Sequence, residues 1–404
     1  MLSYDEALEA IVRTVRPLTP VEASLEEAFG RVLAEPVASR WDLPPADSSA
    51  MDGYAFAWQE QRTGDRLAVI GFVPAGAAPT ETVPAGTTTK IMTGAPLPPG
   101  CDTVVPVEEV VEEEGHIRLA ADAAAGRHIR RRGEELREGE TLLPAGSVIR
   151  AGETGLLAAG GIDRLTVYPK PRVALLATGD ELVELGTPPG PGQIVNSNIH
   201  LLAARLREEG HSVIPLGIAA DDPDALEAKI QEGLQADLLI TTGGVSVGDR
   251  DYVQQVLSRL GFSRTLWKVA IKPGKPLLFG AIGALPVFGL PGNPAASAAT
   301  FELFVRPALR LLAGQRQILH PRLRVILADA VQGGGRRQNF LWGTLQRQSD
   351  GIYRFTPSSR QGSGQNRSLV DAHGLLPVPI GAAELPAGAE AEVLVLRLPD
   401  EQIS

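Results

Sequence analysis

The chain opens with an amphipathic segment, "SYDEALEAIVRTV", in which Leu8, Ile11, Val12 and Val15 fall on one stripe at helical spacing. Ser3 and Glu6 stand three residues apart at its start, the pattern of a capping box, so a helix is predicted from the first few residues. Between about 40 and 145 the pattern changes to short alternating runs ("RLAVIGFV", "TKIMTG", "CDTVVPVEEV") broken every few residues by Pro or Gly. This predicts a small, largely β subdomain inserted into the N-terminal region, which itself runs over about 1–168. From Pro169 the pattern changes again. "RVALLAT" is a short apolar run, and "NSNIHLLAARLREEG" is a helix with Ile199, Leu202 and Leu206 in register. "HSVIPLG" and "DLLITT" read as strands, and "DDPDALEAKIQEGLQA" as a helix with Asp at its start and Pro223 in its first turn. A β-α-β-α-β-α order over 169–318 predicts a parallel, doubly wound sheet with helices on both faces. Beyond it, over 319–404, helical periodicity vanishes. "RLRVILADAV", "FLWGTLQRQ", "IYRFTPSS" and "AEVLVLRL" read as strands, with Asp350–Gly351 as a hairpin turn, predicting a small C-terminal β domain.

Composition narrows the chemistry. A chain of 404 residues accommodates two to four domains. The net charge of −10 argues against a nucleic-acid backbone as partner. The charge is uneven: residues 335–370 hold six arginines against one acid, Asp350. A single cysteine, Cys101, excludes an intrachain disulfide and a zinc–thiolate site, and the six histidines never fall at metal-ligand spacing. No signal peptide or spanning apolar stretch is visible, so a cytoplasmic protein is expected.

Ligands of doubly wound sheets bind at the carboxyl ends of the strands, and three segments are predicted to meet there. "TTGGVSVGDRDY" (241–252) follows a strand and precedes a helix. Its glycines present backbone N–H groups as an anion cradle, or serve only as a tight turn. It lacks the lysine of a P-loop. "TGDEL" (178–182) supplies Asp180 and Glu181, which serve either as helix-terminal acids or, with Asp221, Asp249 and Asp251, as oxygen ligands for magnesium beside a phosphate. "WKVAIKPGKP" (267–276) places Lys268 and Lys272 on one face of a strand, with Lys275 on the following turn. Only six lysines exist in the chain and three lie within eight residues of this segment, 268–275, which favours anion neutralisation over a merely solvated edge. "LPGNPAASAATFELF" adds a helix start at Asn293–Pro294 with N–H groups expected to be free. "SAMDGYA" (49–55) and "IMTGAPLP" (91–98) read, by pattern alone, as a turn and a strand end.

Taken in order with "GLPGNP", these segments resemble the MoeA family of molybdopterin molybdenumtransferases, related to the E domain of gephyrin and of plant Cnx proteins, over essentially the whole chain. The resemblance implies an elongated homodimer with a molybdopterin-binding α/β domain, a mobile β lid and a C-terminal β barrel. It implies a reaction in which adenylylated molybdopterin and molybdate, with magnesium, give molybdenum cofactor and AMP, the substrate arriving from a molybdopterin adenylyltransferase. Tungstate, a tetrahedral dianion of similar size, is not distinguished from molybdate. The resemblance assigns Glu181, Asp221, Asp249 and Asp251 to magnesium and pyrophosphate, and Asp180, Gly243, Gly244 and Ser246 to the pterin phosphate. Lys268, Lys272 and Lys275 neutralise anions, Pro291 and Pro294 shape the cleft, and Arg337 and Ser363 hold the oxyanion. Asp52 and Thr93 match lid residues that reach the site across the dimer. Three positions depart from the family pattern: Trp342 stands where many members have a second arginine, a serine usual just after "GNP" is displaced to Ser297, and Glu135 replaces an aspartate. Two other readings are a molybdopterin-binding scaffold, and the adenylyltransferase itself, against which the flanking domains argue.

Overall fold

The computed structural model describes residues 1–244, 252–333, 335–382 and 384–399. The chain forms two units. One comprises Glu22–Phe29 and Leu33–Val167, the other Met1–Val21, Gly30–Val32 and Tyr168–Ser404.

The first unit carries the inserted β region. Its six-stranded sheet has the spatial order Thr103–Pro106, Gly53–Phe56, Thr87–Ile91, Arg66–Val73, His116–Leu119, Val110–Glu113. Tyr54, Phe56, Leu67, Val105, Ile117 and Leu119 pack on one face, and Ala55, Val73, Ile91 and Val104 on the other. A separate core of Leu33, Ile149, Leu157 and Val167 lies beside the helix Ala151–Ala159.

In the second unit the N-terminal helix spans Tyr4–Thr14, with both arms of the predicted capping box between Ser3 and Glu6 formed. Tyr4 stacks against Phe304 and Phe340, at centroid distances of 5.6 and 5.3 Å. The central sheet has the order Ser212–Ala219, Arg172–Thr178, Leu238–Thr242, Leu285–Leu290, Leu278–Ile282, Phe262–Trp267. The first four strands are parallel, and the last two antiparallel to their neighbours. The run "RVALLAT" lacks polar alternation because both its faces are covered. Val173 and Leu175 join the core beneath the helices Ser197–Glu208 and Pro294–Thr300. Ala174 and Leu176 join the one beneath Pro223–Gly233 and Tyr252–Arg259.

The predicted C-terminal strands close on themselves. Gln338–Arg347 pairs with Tyr353–Pro357 and with Gly374–Val378; the latter pairs with Glu390–Val395, that with Arg322–Leu327, and that with Tyr353–Pro357. This ring of five is a small barrel without a free edge.

An ionic cluster links the barrel to the central fold. The helix from Pro294 widens into a π turn over Phe301–Val305 before continuing as Arg306–Leu312. Pro307, lacking an N–H, sits just past this turn. Glu302, in the π turn, meets His320 Nε2 at 2.9 Å, Arg306 at 2.6 Å and Arg205 at 3.3 Å. Burial would raise the Glu302 carboxyl, but the His320 hydrogen bond and the two guanidinium groups hold it at about 2.

Candidate active site

Strand Arg172–Thr178 leads by a helix to Ser212–Ala219 on one side, and the chain then returns to place Leu238–Thr242 on the other. The order of strands therefore reverses at Thr178 and Thr242, the position at which such sheets open a crevice for ligands. A cleft of about 570 Å³ lies there, a volume suited to a small organic ligand.

Two glycines let the loop after Thr242 cross the end of the neighbouring strand. Gly243 has φ of +91°, and a Cβ on it would lie 2.4 Å from the Thr178 carbonyl oxygen. Gly244 has φ of +59°, and its Cβ would meet Val253 Cγ2 at 2.5 Å and Thr178 Oγ1 at 2.8 Å. Only glycine satisfies both conditions. Ser246, Asp249 and Asp251, which follow on this loop, lie outside the described residues.

Asn198 ties the walls together. Its Nδ2 donates to Thr242 Oγ1 at 3.0 Å and to the Gly292 carbonyl at 2.7 Å. Asn196 caps the same helix, its Oδ1 accepting from the Ile199 N–H at 3.3 Å. The opposite atoms of these two amides, Asn198 Oδ1 and Asn196 Nδ2, are buried without a partner, as is Thr178 Oγ1. All three residues line the cleft. "NSN" reads in sequence as an ordinary helix start, and its significance emerges only from what the tertiary structure leaves unpaired.

A segment of the barrel, Gln361–Asn366, forms the remaining wall. The Ser363 carbonyl accepts from the N–H groups of Ala295 (2.9 Å) and Ala296 (3.3 Å), and Ser363 Oγ accepts from Asn293 Nδ2 at 3.2 Å. Asn366 Nδ2 donates to Ser197 Oγ at 3.2 Å. Gln361 anchors the segment to the barrel, donating to the Trp342 carbonyl at 2.8 Å and accepting from the Trp342 N–H at 3.2 Å. Trp342 itself is buried in the core. The helix start at Pro294 therefore offers no free first-turn N–H at Ala295 or Ala296, contrary to the sequence expectation. A carbonyl distant in sequence already occupies it. Pro291 and Pro294 do line the cleft, and Ser297 is buried within the helix.

Glu181 is the one charged residue among the described lining residues. Asp180 and Glu181 are not helix-terminal acids: they form a turn leading to Leu182–Val183, which pairs with Ile194–Val195. Asp180 Oδ1 accepts from the Asp221 N–H at 3.0 Å, joining the ends of two strands. Among the described residues no group of three or more Asp, Glu, His or Cys side chains could hold a metal ion.

The lysines depart from expectation. The segment 267–276 is not one strand. Phe262–Trp267 ends at Lys268, whose φ is +68°, and Ile271–Lys272 belongs to another sheet, pairing with Gln338–Asn339 of the barrel. The left-handed residue cancels the alternation that placed Lys268 and Lys272 on a shared face. Lys268 Nζ lies instead 3.7 Å from the centre of the Trp267 ring. Lys272 and Lys275 are exposed, and none of the three lines the cleft. Arg337 Nη1 donates to the Ile271 carbonyl at 3.3 Å, so it lies beside the Lys272 segment.

In the other unit the two motifs that pattern alone left unexplained meet. Asp52 Oδ1 accepts from both the N–H (2.7 Å) and Oγ1 (2.8 Å) of Thr93, and these bonds, led by the N–H, hold its carboxyl below the usual range.

Comparison with known proteins covers nearly the whole chain. Three family models match: the MoeA N-terminal region (domains I and II) over residues 2–161, a probable molybdopterin-binding domain over 174–311, and the MoeA C-terminal region (domain IV) over 324–396. A molybdopterin molybdenumtransferase of Nostoc sp. is 39% identical over 383 residues, covering 92% of this chain and 87% of its own. Molybdopterin molybdenumtransferase 2 of Mycobacterium tuberculosis is 35% identical over 405 residues, covering 97% and 99%. A crystal structure of a molybdopterin biosynthesis MoeA protein from Pyrococcus horikoshii superposes with a TM-score of 0.83 at 32% identity, covering 98% of this chain and 99% of that one.

Proposed function

The chain belongs to the MoeA family of molybdopterin molybdenumtransferases, enzymes of molybdenum cofactor biosynthesis that insert molybdenum, and from that premise we propose that it takes adenylylated molybdopterin and molybdate in the cleft at Thr178 and Thr242 and releases AMP. The observation that carries this reading is convergence: "TGDEL", "TTGG", "GLPGNP" and "SRQGSG", separated by up to about 180 residues, all contribute to or border one cleft.

The chemistry asks for positioning and charge compensation rather than a nucleophilic side chain. Cleavage of the phosphoanhydride needs the pyrophosphate oxygens neutralised, and magnesium, when bound, supplies that charge. Glu181 fits such an ion, because magnesium commonly takes one or two carboxylates and completes its shell with water and substrate phosphates. In our reading Asp221, Asp249 and Asp251 support it from the surrounding loops. Gly243 and Gly244, with Ser246 and Asp180, hold the pterin phosphate. The molybdate subsite lies toward Ser363, Arg337, Lys272 and Lys275, with Lys268 contributing charge at its edge, so that these side chains supply the cations that the described cleft lining lacks. Trp342 leaves that subsite without a second arginine at its position. Asp52 and Thr93 act on the site from the lid of a second copy in a homodimer. The substrate comes from a molybdopterin adenylyltransferase in the cytoplasm. Among the described residues no helix is long and apolar enough to cross a membrane. The division at about 168 and 318 belongs to this proposal, and the gaps between the three family matches support it.

Purified protein incubated with adenylylated molybdopterin, molybdate and magnesium should yield a product that activates an apo-molybdoenzyme. A scaffold would bind the substrate without converting it, and an adenylyltransferase would consume ATP and unmodified molybdopterin instead.

A further inference from the structure

The strand Gln338–Arg347 is attached to two parts of the chain that carry the oxyanion residues. At its start Asn339 stands opposite Lys272 in a parallel ladder, and Arg337, just before it, reaches the Ile271 carbonyl. Three residues further on, Trp342 holds the segment that carries Ser363. A strand rises about 3.3 Å per residue, so the two attachments lie roughly 10 Å apart on one element.

The second attachment is made by a side chain. The neighbouring strand Tyr353–Pro357 pairs with this one as far as Gly343, opposite Pro357. The ladder ends there, and the backbone groups of Trp342 need other partners. The Trp342 carbonyl accepts from the Ser358 N–H at 2.8 Å. The Trp342 N–H donates to Gln361 Oε1 at 3.2 Å, and Gln361 Nε2 donates to the carbonyls of Trp342 (2.8 Å) and Ser358 (2.9 Å). The Gln361 amide thus pairs with both backbone groups of one strand residue, as another strand would. Its orientation is fixed, because the N–H can only donate and the two carbonyls can only accept. Two residues on, the Ser363 carbonyl accepts from Ala295 at 2.9 Å and its Oγ accepts from Asn293 at 3.2 Å, and Gly364 and Asn366 line the cleft.

We propose that Gln361 is a positioning residue for molybdate insertion, which holds Ser363 in register with Lys272 and Arg337 by fixing the Ser363 segment to the strand that also carries those cations. This rests on the function proposed above, in which these three residues receive the oxyanion. An anion shared between them is sensitive to a shift of the Ser363 segment. The nucleotide-linked pterin, held at Gly243 and Gly244, is not.

Two variants test it. Gln361→Met keeps the length of the side chain and removes its three hydrogen bonds. Gln361→Glu keeps the acceptor for the Trp342 N–H and sets a carboxylate against two carbonyl oxygens. One measurement on the full-length protein is deuterium uptake by the peptide containing Ala295 and Ala296, whose N–H groups donate to the Ser363 carbonyl. The other is steady-state AMP release with molybdate and adenylylated molybdopterin varied in turn. In both variants exchange at Ala295 and Ala296 should be about tenfold faster and KM for molybdate about tenfold higher, the size of one lost hydrogen bond. The value of kcat at saturating molybdate and KM for adenylylated molybdopterin should stay within about twofold of wild type. Unchanged exchange overturns the proposal. So does faster exchange with unchanged KM for molybdate, or a loss spread over kcat and both KM values, either of which makes Gln361 a structural brace. If wild type releases no AMP, the function proposed above fails, and exchange at Ala295 and Ala296 still decides whether Gln361 holds the segment. If wild type turns over and both variants match it, Gln361 loses its role and the function stands.

Discussion

The carbonyl oxygen of Ser363, on a barrel segment, accepts from the backbone N–H of Ala295 at 2.9 Å and so closes the first turn of a helix in the central fold. The serine hydroxyl makes a separate bond to Asn293 at 3.2 Å. Ser363→Ala keeps the first contact and loses the second. Thermal unfolding should show a loss of about 0.5–1.5 kcal/mol. Steady-state kinetics should show a roughly tenfold rise in KM for molybdate if the hydroxyl touches the oxyanion. A fall in stability with unchanged KM would make Ser363 a structural strut.

Gly243→Ala places a methyl 2.4 Å from the Thr178 carbonyl at a backbone φ of +91°. The loop must shift, at a cost of about 1–3 kcal/mol of local strain. Substrate affinity, measured by equilibrium dialysis, should fall at least tenfold while far-ultraviolet circular dichroism stays that of wild type. Wild-type affinity would show that the loop does not form the ligand cradle.

Lys272 is exposed and ends the short strand Ile271–Lys272, which pairs with Gln338–Asn339 of the barrel. Its replacement by alanine should leave stability within about 0.5 kcal/mol of wild type, as surface changes do. It should nonetheless abolish molybdate-dependent AMP release. Unchanged release would remove this lysine from the mechanism.

His211 is buried with both ring nitrogens unpaired. Burial, reinforced by the charges of Lys170, Arg306 and Arg310 and opposed by Glu209, pushes its pKa from 6.5 to about 4. The folded protein therefore holds a neutral imidazole, and the unfolded chain takes up a proton first. Its contribution is fully present above pH about 6.5 and is lost as pH falls toward about 4, amounting to about 3 kcal/mol. In urea titrations from pH 7 to 4, His211→Leu should flatten that slope relative to wild type. Parallel slopes would show that another group governs the acid limb.

The strand ends that build the cleft were legible because short-range chemistry marks them. An apolar run ending in "ATG" or "TTGG", and a Pro-Gly-Asn-Pro turn, specify loops whatever lies around them. The Ser3–Glu6 box and the Asp222–Pro223 helix start formed as read for the same local reason. The lysine face was misread because alternation assumes an unbroken strand, and a single left-handed residue, Lys268, invalidates it. The free helix start at Pro294 was misread because its occupant, the Ser363 carbonyl, comes from a different layer of the fold. Asn196 and Asn198 were missed altogether. Nothing in their spacing reveals that each uses one half of its amide to brace the structure and leaves the other half buried and unpaired beside the cleft.

The most direct test of the account is single-turnover release of AMP from adenylylated molybdopterin in the presence of magnesium, with and without molybdate, by wild type and by Glu181→Gln. The account predicts one equivalent of AMP from wild type only when molybdate is present, and a rate lowered at least a hundredfold in the variant while substrate remains bound. Release at the same rate without molybdate, or by the variant, would contradict it.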